Sequence, residues 1–555
     1  MNKKITLLIP LLVGVSIAIG IVIGNMLKNN SHPSLAGMSG MTFSRPNKIT
    51  TILDLIEEGY VDSVNTSSIV EKTIPEILKN LDPHTTYIPA RNMQEVQEEM
   101  QGNFSGIGVQ FSIQEDTVRV IDVISGGPSS KVGILPGDRI VRVNDSTIAG
   151  VNVVNQTVLS LLRGEKNSKV NVGIVRKGYN GELDFEITRG DIPIFSVDVS
   201  YMIDNQTGFM KISRFAETTY DEYMEGMKKL SDKGAEKVII DLRQNTGGSL
   251  VSVLRMVDEL LEKGEPILYT EGDHQPRKTY NASAKATWKD MKIYVLIDEF
   301  SASASEIFAG AMQDNDRGIV IGRRSFGKGL VQEQIPLMDG SALRLTIARF
   351  YTPSGRCIQN PYDEGNEEYY HDIYERFHSM EQMVADSVHF ADSLKYTTKG
   401  GRTVYGGGGI MPDFFVPVDT SGNSDYFDKI YRKGLIYTYA YRYADQNRET
   451  LTQFSQADEF DTFLDNHNVL NDFVAYAAEQ GVQRDSGGLK ESGSLINTQL
   501  KAYIARNIIG EEGFYPIIKQ IDKTLLRAIE ISQQNLLVEN LTNASDSVPV
   551  KPELQ

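Results

Sequence analysis

The chain has 555 residues, which is more than one hydrophobic core accommodates, so we expect several domains. Its 73 acidic and 56 basic side chains give a net charge of −17, which argues against a nucleic-acid partner. The single cysteine, Cys357, excludes an intrachain disulfide.

The N-terminus has the pattern of a membrane segment. Lys3 and Lys4 precede an apolar run over residues 5–27. About 20 apolar residues cross a bilayer, and no small-residue cleavage site follows. The sequence therefore predicts a membrane anchor over residues 1–28, with a cleaved signal peptide as the alternative. The lysines should stay cytoplasmic, which places the rest in the periplasm of a bacterial cell envelope. Residues 29–47 are typical of a linker.

Residues 48–103 have helical periodicity and form a predicted helical N-terminal region. One helix ends at the run LDPHT, residues 81–85, where proline stops it. His84 in this run is isolated, and we expect it to have a structural role in the turn.

Residues 104–190 alternate polar and apolar positions between turn signals, which predicts a small, mostly β domain. The order of its motifs, GIGV at 106–109, GP at 127–128, PGDRI at 136–140 and VN at 143–144, resembles a PDZ domain. Such a domain binds a peptide C-terminus as an added strand. The resemblance assigns peptide binding to Gly106, Ile107, Gly108 and Val109. Arg176 is a candidate for coupling peptide binding to the active site.

Residues 191–423 alternate buried strands with helices, which indicates a layered α/β core. After the glycines at 247–248 we expect a helix with Val251, Leu254, Val257 and Leu261 on its apolar face. Residues 361–398 lack strand and glycine signals and predict a helical insertion. Residues 424–540 predict a helical C-terminal region, and 541–555 a disordered tail.

A serine-rich turn, SASASE at 301–306, lies between a buried strand and a predicted helix. A serine at a helix start has backbone N–H groups close by, which suits an oxyanion. Ser303 is the candidate nucleophile. The alternative is a capping box, in which Ser303 and Glu306 only begin the helix.

A serine nucleophile needs a base, and Lys328 is the local candidate, because no histidine lies between His274 and His371. A lysine acts as a base near neutrality only when its pKa is lowered, and burial does this. Gln332 lies four positions further, so it can hydrogen-bond the amine and orient it.

A second interpretation is a phosphate-binding loop, because GRRSFGK at 322–328 follows a strand. The lysine is followed by Gly329 rather than by the serine or threonine that ligates magnesium. The acid-bearing strand at 295–299 also precedes the loop, which is the reverse of the usual order.

Ser303, Lys328 and Gln332 match the catalytic set of the C-terminal processing (tail-specific) proteases. The resemblance extends over residues 50–417, through LDPH at 81–84, the PDZ-like segment, DLRQNTGG at 241–248 and GGR at 400–402. It implies a multidomain α+β protein with a ClpP/crotonase-like α/β protease core, an inserted PDZ domain and helical terminal regions. It also implies an oxyanion hole formed by the N–H of Ala304 and that of Gly247 or Gly248.

The implied function is a serine endopeptidase that needs no metal or cofactor and recognises apolar C-termini of protein or peptide substrates through its PDZ domain. The alternative is a catalytically inactive PDZ scaffold on a protease fold. A homodimer or a regulatory partner is a further expectation, since both helical regions offer apolar stripes.

Overall fold

The computed structural model describes residues 47–114, 116–124, 126–378 and 391–534. The predicted anchor, nearly all of the linker and the predicted C-terminal tail lie outside these residues. Within the described ranges, no helix has both the length and the apolar character needed to cross a bilayer.

The described part of the chain divides into two units between residues 73 and 74. In the first unit, helix Lys48–Gly59 is capped by the Asn47 side chain, which accepts a hydrogen bond from the Ile49 N–H at 3.2 Å. The next helix, Thr66–Leu78, begins in this unit. The remaining elements belong to the second unit.

A six-stranded sheet, here called the core sheet, forms the centre of the second unit. Its neighbouring strands are parallel except for the first pair, which is a hairpin. The strands carry long β-branched and apolar runs because both faces of the sheet are covered. In spatial order they are Val197–Met202, Thr207–Ile212, Lys237–Asp241, Lys292–Ile297, Gly318–Gly322 and Phe414–Phe415.

Helices cover both faces of the core sheet. One face packs against helices Thr219–Asp232, Leu250–Asp258 and Ala304–Asp314. The other face packs against the last described helix, Lys523–Gln533, through Leu525, Ala528 and Ile531. The C-terminal region is thus part of the same layered structure as the core sheet. This arrangement is the predicted α/β core.

A second, antiparallel sheet of five strands lies beside these helices. Its longest strand, Ala342–Tyr351, pairs with Thr86–Ile88, which lies in the segment predicted to be helical. That prediction missed this strand, because its pairing partner is about 250 residues away in sequence. The other strands are Pro266–Gly272, Gln275–Asn281 and Leu330–Pro336.

The PDZ-like segment forms its own β domain with a separate core. Helix Ala90–Gln101 precedes it, and a two-stranded ribbon of Asn103–Gly106 with Gly190–Pro193 joins its two ends. Its six-stranded sheet has Val109–Gln114 at one edge, followed by Thr117–Val123, Arg139–Val143, Lys169–Val175 and Leu183–Thr188, and the sixth strand pairs with Arg139–Val143. The short strand Ser146–Thr147 and helices Pro128–Val132 and Asn155–Leu162 complete it.

The predicted insertion at 361–398 contains helix Asn366–His378, here called the insertion helix. The last residues of the predicted insertion form a strand, although the prediction made them helical. Strand Lys395–Thr397 pairs with Thr403–Tyr405 around the glycines at 400–401, which allow the tight turn.

The C-terminal region is helical, as predicted, with its own apolar core. Its helices are Asp425–Arg432, Leu435–Gln446, Arg448–Leu451, Ala457–Asp465, Val469–Glu479, Ser486–Ile509, Glu511–Ile518 and Lys523–Gln533.

The predicted face of the helix after the glycines is wrong in part. The helix spans Leu250–Asp258, so Leu261 lies beyond its end. Val253, Met256 and Val257 are its fully buried apolar residues, whereas Val251 is 66% exposed.

Candidate active site

The parallel strands of the core sheet bring four loops to one edge. The loops follow strands Thr207–Ile212, Lys237–Asp241, Lys292–Ile297 and Gly318–Gly322. The carboxyl ends of parallel strands are the usual position of a ligand site. The third and fourth loops carry Ser303 and Lys328, and the second carries Gly247 and Gly248.

Of the three serines at 301–305, only Ser303 is partly exposed. Ser301 is fully buried and its hydroxyl donates to the Leu242 carbonyl at 2.8 Å. Ser305 is also buried and donates to the Asn245 carbonyl at 2.8 Å. Both outer serines therefore fasten the turn, and Ser303 is the one that a substrate can reach.

Ser303 has an uncommon backbone conformation, with φ 55° and ψ −111°, and it immediately precedes helix Ala304–Asp314. A non-glycine residue pays roughly 1–3 kcal/mol for such a conformation, which persists only where its surroundings enforce it. Its N–H donates to the Glu306 carboxylate at 2.8 Å, which is the carboxylate half of the predicted capping box.

Glu306 is fully buried and joins the serine loop to the lysine loop. One of its oxygens accepts from the N–H groups of Ser303 and Lys328, at 2.8 and 2.9 Å. The other accepts from the Ser325 hydroxyl at 2.5 Å and the Gly327 N–H at 2.7 Å. Burial raises the pKa of Glu306, and these four donors oppose that effect. The capping-box interpretation accounts for only one of these contacts.

The glycine turn lies directly against Ser303. A side chain on Gly247 would place its Cβ 2.7 Å from the Ser303 Cβ and 2.9 Å from the Ala304 nitrogen. Gly247 also has φ +98°, so this position requires glycine. The turn is joined to the serine loop because the Ala302 N–H donates to the Asn245 carbonyl at 3.0 Å.

The N–H groups of the two glycines differ in their partners. The Gly247 N–H donates to the Asn245 side chain at 2.9 Å. The Phe215 N–H donates to the Gly247 carbonyl at 3.1 Å, and the Phe215 carbonyl accepts from the Ser249 N–H at 2.6 Å. Neither of these two hydrogen bonds uses the Gly248 N–H. Ala304 begins its helix, and first-turn N–H groups have no partner within a helix.

Lys328 and Gln332 are in contact, as predicted. The Lys328 amine donates to the Gln332 side-chain oxygen at 3.0 Å. Burial is the main cause that lowers the pKa of Lys328, and the Arg344 guanidinium lowers it further, against the carboxylates of Glu306 and Asp82. This is the direction that a lysine base requires.

The turn at 82–85 also belongs to the site. The Gln332 amide donates to the His84 carbonyl, which fixes the side of the amide that faces Lys328. The Asp82 carboxylate accepts from the N–H groups of His84 and Thr85, at 2.8 and 2.9 Å. No local pattern in the sequence indicated that this turn meets Gln332.

His84 lies close to Lys328 but is a poor candidate base. Burial and the charge of Lys328 lower the pKa of His84 to about 4. Its Nε2 is within hydrogen-bond distance of the Tyr369 hydroxyl, at 3.1 Å. The expectation of a structural role for His84 agrees with these contacts.

The phosphate-loop interpretation is wrong. A phosphate-binding loop opens a helix, whereas Lys328 is followed by strand Leu330–Pro336. The acids of the preceding strand have other partners. Asp298 accepts from the N–H groups of its own turn, and Glu299 forms an ion pair with Arg323 at 2.7 Å.

Two buried arginines hold the far end of helix Ala304–Asp314. Arg356 is 0% exposed and forms an ion pair with Asp314 at 2.7 Å. Arg402, from the GGR motif, donates to Asp316 at 2.7 Å and to the Gln313 carbonyl at 2.8 Å. These contacts limit movement of the helix that begins at Ser303.

The predicted peptide-binding residues lie at the start of an edge strand. Val109 begins Val109–Gln114, which pairs on one side with Thr117–Val123 and has no strand partner among described residues on the other. The carbonyls of Ile107 and Gly108 accept hydrogen bonds at 2.9 and 3.0 Å within the domain. Gly106 is paired in the ribbon that joins the two ends of the domain.

Arg176 is held inside the PDZ-like domain. Its guanidinium donates to both oxygens of Asp138 at 2.7 Å and to the Gly133 carbonyl at 2.8 Å. The structure does not bring it to Ser303 or Lys328.

Comparisons with known proteins show which families and proteins the chain resembles. The model of peptidase family S41 matches residues 206–365, that of the PDZ domain matches 105–187, and a family of unknown function matches 426–510. A carboxy-terminal-processing protease of Bartonella bacilliformis is 33% identical over 323 residues, 57% of this chain and 73% of that protein. The carboxy-terminal processing protease CtpB of Bacillus subtilis is 31% identical, over 64% of this chain and 76% of that protein. Among solved structures, a photosystem II D1 C-terminal processing protease is 25% identical, covering 56% of this chain and 89% of that one, with a TM-score of 0.32.

Proposed function

The chain belongs to peptidase family S41, with the carboxy-terminal processing proteases, and we propose that it is a serine endopeptidase with a Ser303–Lys328 dyad. The observation that carries this proposal is that one buried carboxylate, Glu306, joins the loop of the accessible Ser303 to the loop of the partly buried Lys328, whose pKa is lowered. Glu306 accepts hydrogen bonds from the backbone of both.

In the proposed reaction, the neutral Lys328 amine takes the hydroxyl proton of Ser303 while the Ser303 oxygen bonds to the peptide carbonyl carbon. The N–H groups of Ala304 and Gly248 stabilise the oxyanion; Gly248 is preferred to Gly247 because the Gly247 N–H is bonded to Asn245. Lys328 then protonates the leaving amine as the C–N bond breaks. Water then gives one proton to Lys328 as its oxygen bonds to the acyl carbon; the bond between that carbon and the Ser303 oxygen breaks, Lys328 returns the proton to the Ser303 oxygen, and the new C-terminal carboxyl group leaves.

The PDZ domain supplies substrate selection in this proposal. An extended peptide adds to the open edge of Val109–Gln114, and its terminal carboxylate lies on the loop at 106–109. Apolar C-termini are the expected ligands. A coupling role for Arg176 would require it to leave Asp138 when peptide binds.

We also propose that residues 1–28 anchor the chain in the inner membrane, with the peptidase in the periplasm. The apolar run and its flanking lysines support this. Fractionation tests it: the full chain should need detergent for release, and removal of residues 1–28 should abolish that need. Release of the full chain by carbonate alone would contradict the proposal.

The experiment for the proposed activity compares the purified protein with a Ser303→Ala variant on an unfolded protein bearing an apolar C-terminal tail. Cleavage by the first and none by the second supports the endopeptidase. Replacement of the tail by a charged one should reduce kcat/KM if the PDZ domain selects substrate. Equal, negligible cleavage with retained tail binding would favour the inactive scaffold.

A further inference from the structure

The insertion helix, Asn366–His378, contacts the turn that carries His84. The Tyr370 hydroxyl donates to the Pro83 carbonyl at 2.9 Å. The Tyr369 hydroxyl lies 3.1 Å from the His84 Nε2, and the two rings meet edge to face with centroids 5.6 Å apart. Two consecutive tyrosines therefore contact two consecutive residues of one turn.

The same helix also forms hydrogen bonds with the segment before Lys328. Arg376 donates to the carbonyls of Ser325 and Phe326, at 2.9 and 3.0 Å. A guanidinium presents donors in a rigid fork, so this contact fixes the orientation of two peptide units at once. The centroids of the Phe326 and His84 rings lie 6.3 Å apart, so the two segments that the insertion helix contacts are neighbours.

Both contacted segments are connected to the proposed base, Lys328. The His84 carbonyl accepts from the Gln332 amide, and the Gln332 oxygen accepts from the Lys328 amine at 3.0 Å. Arg376 holds the backbone that immediately precedes Gly327 and Lys328. A displacement of either segment would change the position of the amine.

Ordinary packing explains a different part of the helix. Ile373 is 8% exposed, so burial of its apolar side chain is what packing contributes on this helix. Tyr369 is 2% exposed, yet its hydroxyl meets a histidine nitrogen. A helix held only by packing would not need three polar side chains on two loops.

We infer that the insertion helix acts as a clamp, meaning that it holds the proposed base Lys328 in position. Tyr369 and Arg376 are the positioning residues, and they act on Gln332 and Lys328 through the two contacted segments. This inference rests on the proposed Ser303–Lys328 mechanism. The insertion would then be a working part of the site.

The clamp has a consequence for the dependence of activity on pH. The groups that face Lys328 are the carboxylates of Asp82 and Glu306, the Arg344 guanidinium and the neutral His84. Burial is the largest cause that lowers the pKa of Lys328. A loosened clamp admits water, so the pKa rises and less of the amine is neutral at pH 7.

The test uses the full chain and three variants, Tyr369→Phe, Arg376→Gln and the packing control Ile373→Val, with kcat and KM measured from pH 6 to pH 10 on one tailed peptide. We expect Tyr369→Phe and Arg376→Gln to lose about tenfold in kcat at pH 7, with KM unchanged and activity recovered at high pH. Ile373→Val should lower the melting temperature and keep the wild-type pH profile.

An unchanged profile in both clamp variants, or an equal loss at every pH, would overturn the clamp. If either variant fails to fold, the other decides. The proposed function is tested separately in the same assay by Ser303→Ala and Lys328→Ala. Activity that survives these two changes refutes the dyad, whereas a normal pH profile in the clamp variants refutes only the clamp.

Discussion

The substitution Glu306→Gln tests whether one buried carboxylate assembles the site. The carboxylate accepts four hydrogen bonds, two on each oxygen, from Ser303, Ser325, Gly327 and Lys328. The amide keeps one acceptor oxygen and turns an NH2 group towards the other two donors. A hydrogen bond to a charged group contributes about 1.5–3 kcal/mol, so two lost bonds cost about 3–6 kcal/mol.

The neutral amide regains part of this cost, because burial raises the pKa of the carboxyl and so disfavours the charged form. We therefore expect the free energy of unfolding to fall by about 3 kcal/mol. The rate should fall more. A displacement of about 1 Å between Ser303 and Lys328 can reduce kcat about 10²-fold.

Urea unfolding followed by the fluorescence of Trp288, the single tryptophan, measures the stability, and cleavage of a tailed peptide measures kcat. The matched control is Glu333→Gln, an exposed glutamate beside Gln332, which should change neither quantity. Wild-type stability and kcat in Glu306→Gln would refute the assignment of Glu306 as the joint between the two loops.

Three further substitutions test the electrostatics of the site and its support. Because the pKa of Lys328 is lowered on folding, the unfolded state binds the proton more readily; Lys328→Met should therefore be more stable than the wild type at pH 7, and calorimetry should find the difference shrinking as pH rises towards the ordinary lysine pKa of about 10.4. The pKa of His84 is lowered from 6.5 in the unfolded chain to about 4 in the folded protein. The contribution of neutral His84 to stability is therefore complete above pH 6.5 and is lost as the pH falls towards 4. Over that window, denaturation curves should show the free energy of unfolding of the wild type falling by about 3 kcal/mol relative to that of His84→Gln. Asp522→Asn keeps the cap of helix Lys523–Gln533 but weakens the two hydrogen bonds that Arg243 donates to Asp522, at 2.8 and 2.6 Å. Urea unfolding should therefore report a loss of about 1–2 kcal/mol, and an unchanged midpoint would show that these two bonds do not stabilise the fold.

The sequence predicts the elements whose signals are local. Strands Lys237–Asp241 and Lys292–Ile297 are continuous apolar and β-branched runs, and a strand buried on both faces requires such a run. The contact of Lys328 with Gln332 is also local, since Gln332 follows Lys328 by only four positions. These signals sufficed for the α/β core, whereas the assignment of Ser303 and Lys328 as the proposed dyad rested on the family resemblance as well.

The environment of the proposed dyad depends on contacts that are distant in sequence. His84 reaches Gln332 because strand Thr86–Ile88 pairs with Ala342–Tyr351, and nothing near residue 84 encodes that pairing. The local signal of Glu306 was the capping pattern with Ser303, which explains the residue without the three contacts to the lysine loop.

The buried face of helix Leu250–Asp258 was mispredicted for a physical reason. Periodicity gives the relative phase of apolar residues but not the residue at which a helix begins or ends. Ser249 caps the helix by accepting from the Ser252 N–H, and the last turn ends at Asp258. Val251 therefore points outwards and Leu261 packs from beyond the helix.

The most direct test of the central claim is to trap the acyl-enzyme. A reaction with a tailed peptide is quenched in acid within the first turnovers, digested and analysed by mass spectrometry. We expect the acyl fragment of the substrate to be attached to Ser303 and the adduct to be absent from the Lys328→Ala variant. An adduct on Ser301 or Ser305, or cleavage by the Ser303→Ala variant at the wild-type rate, would contradict it.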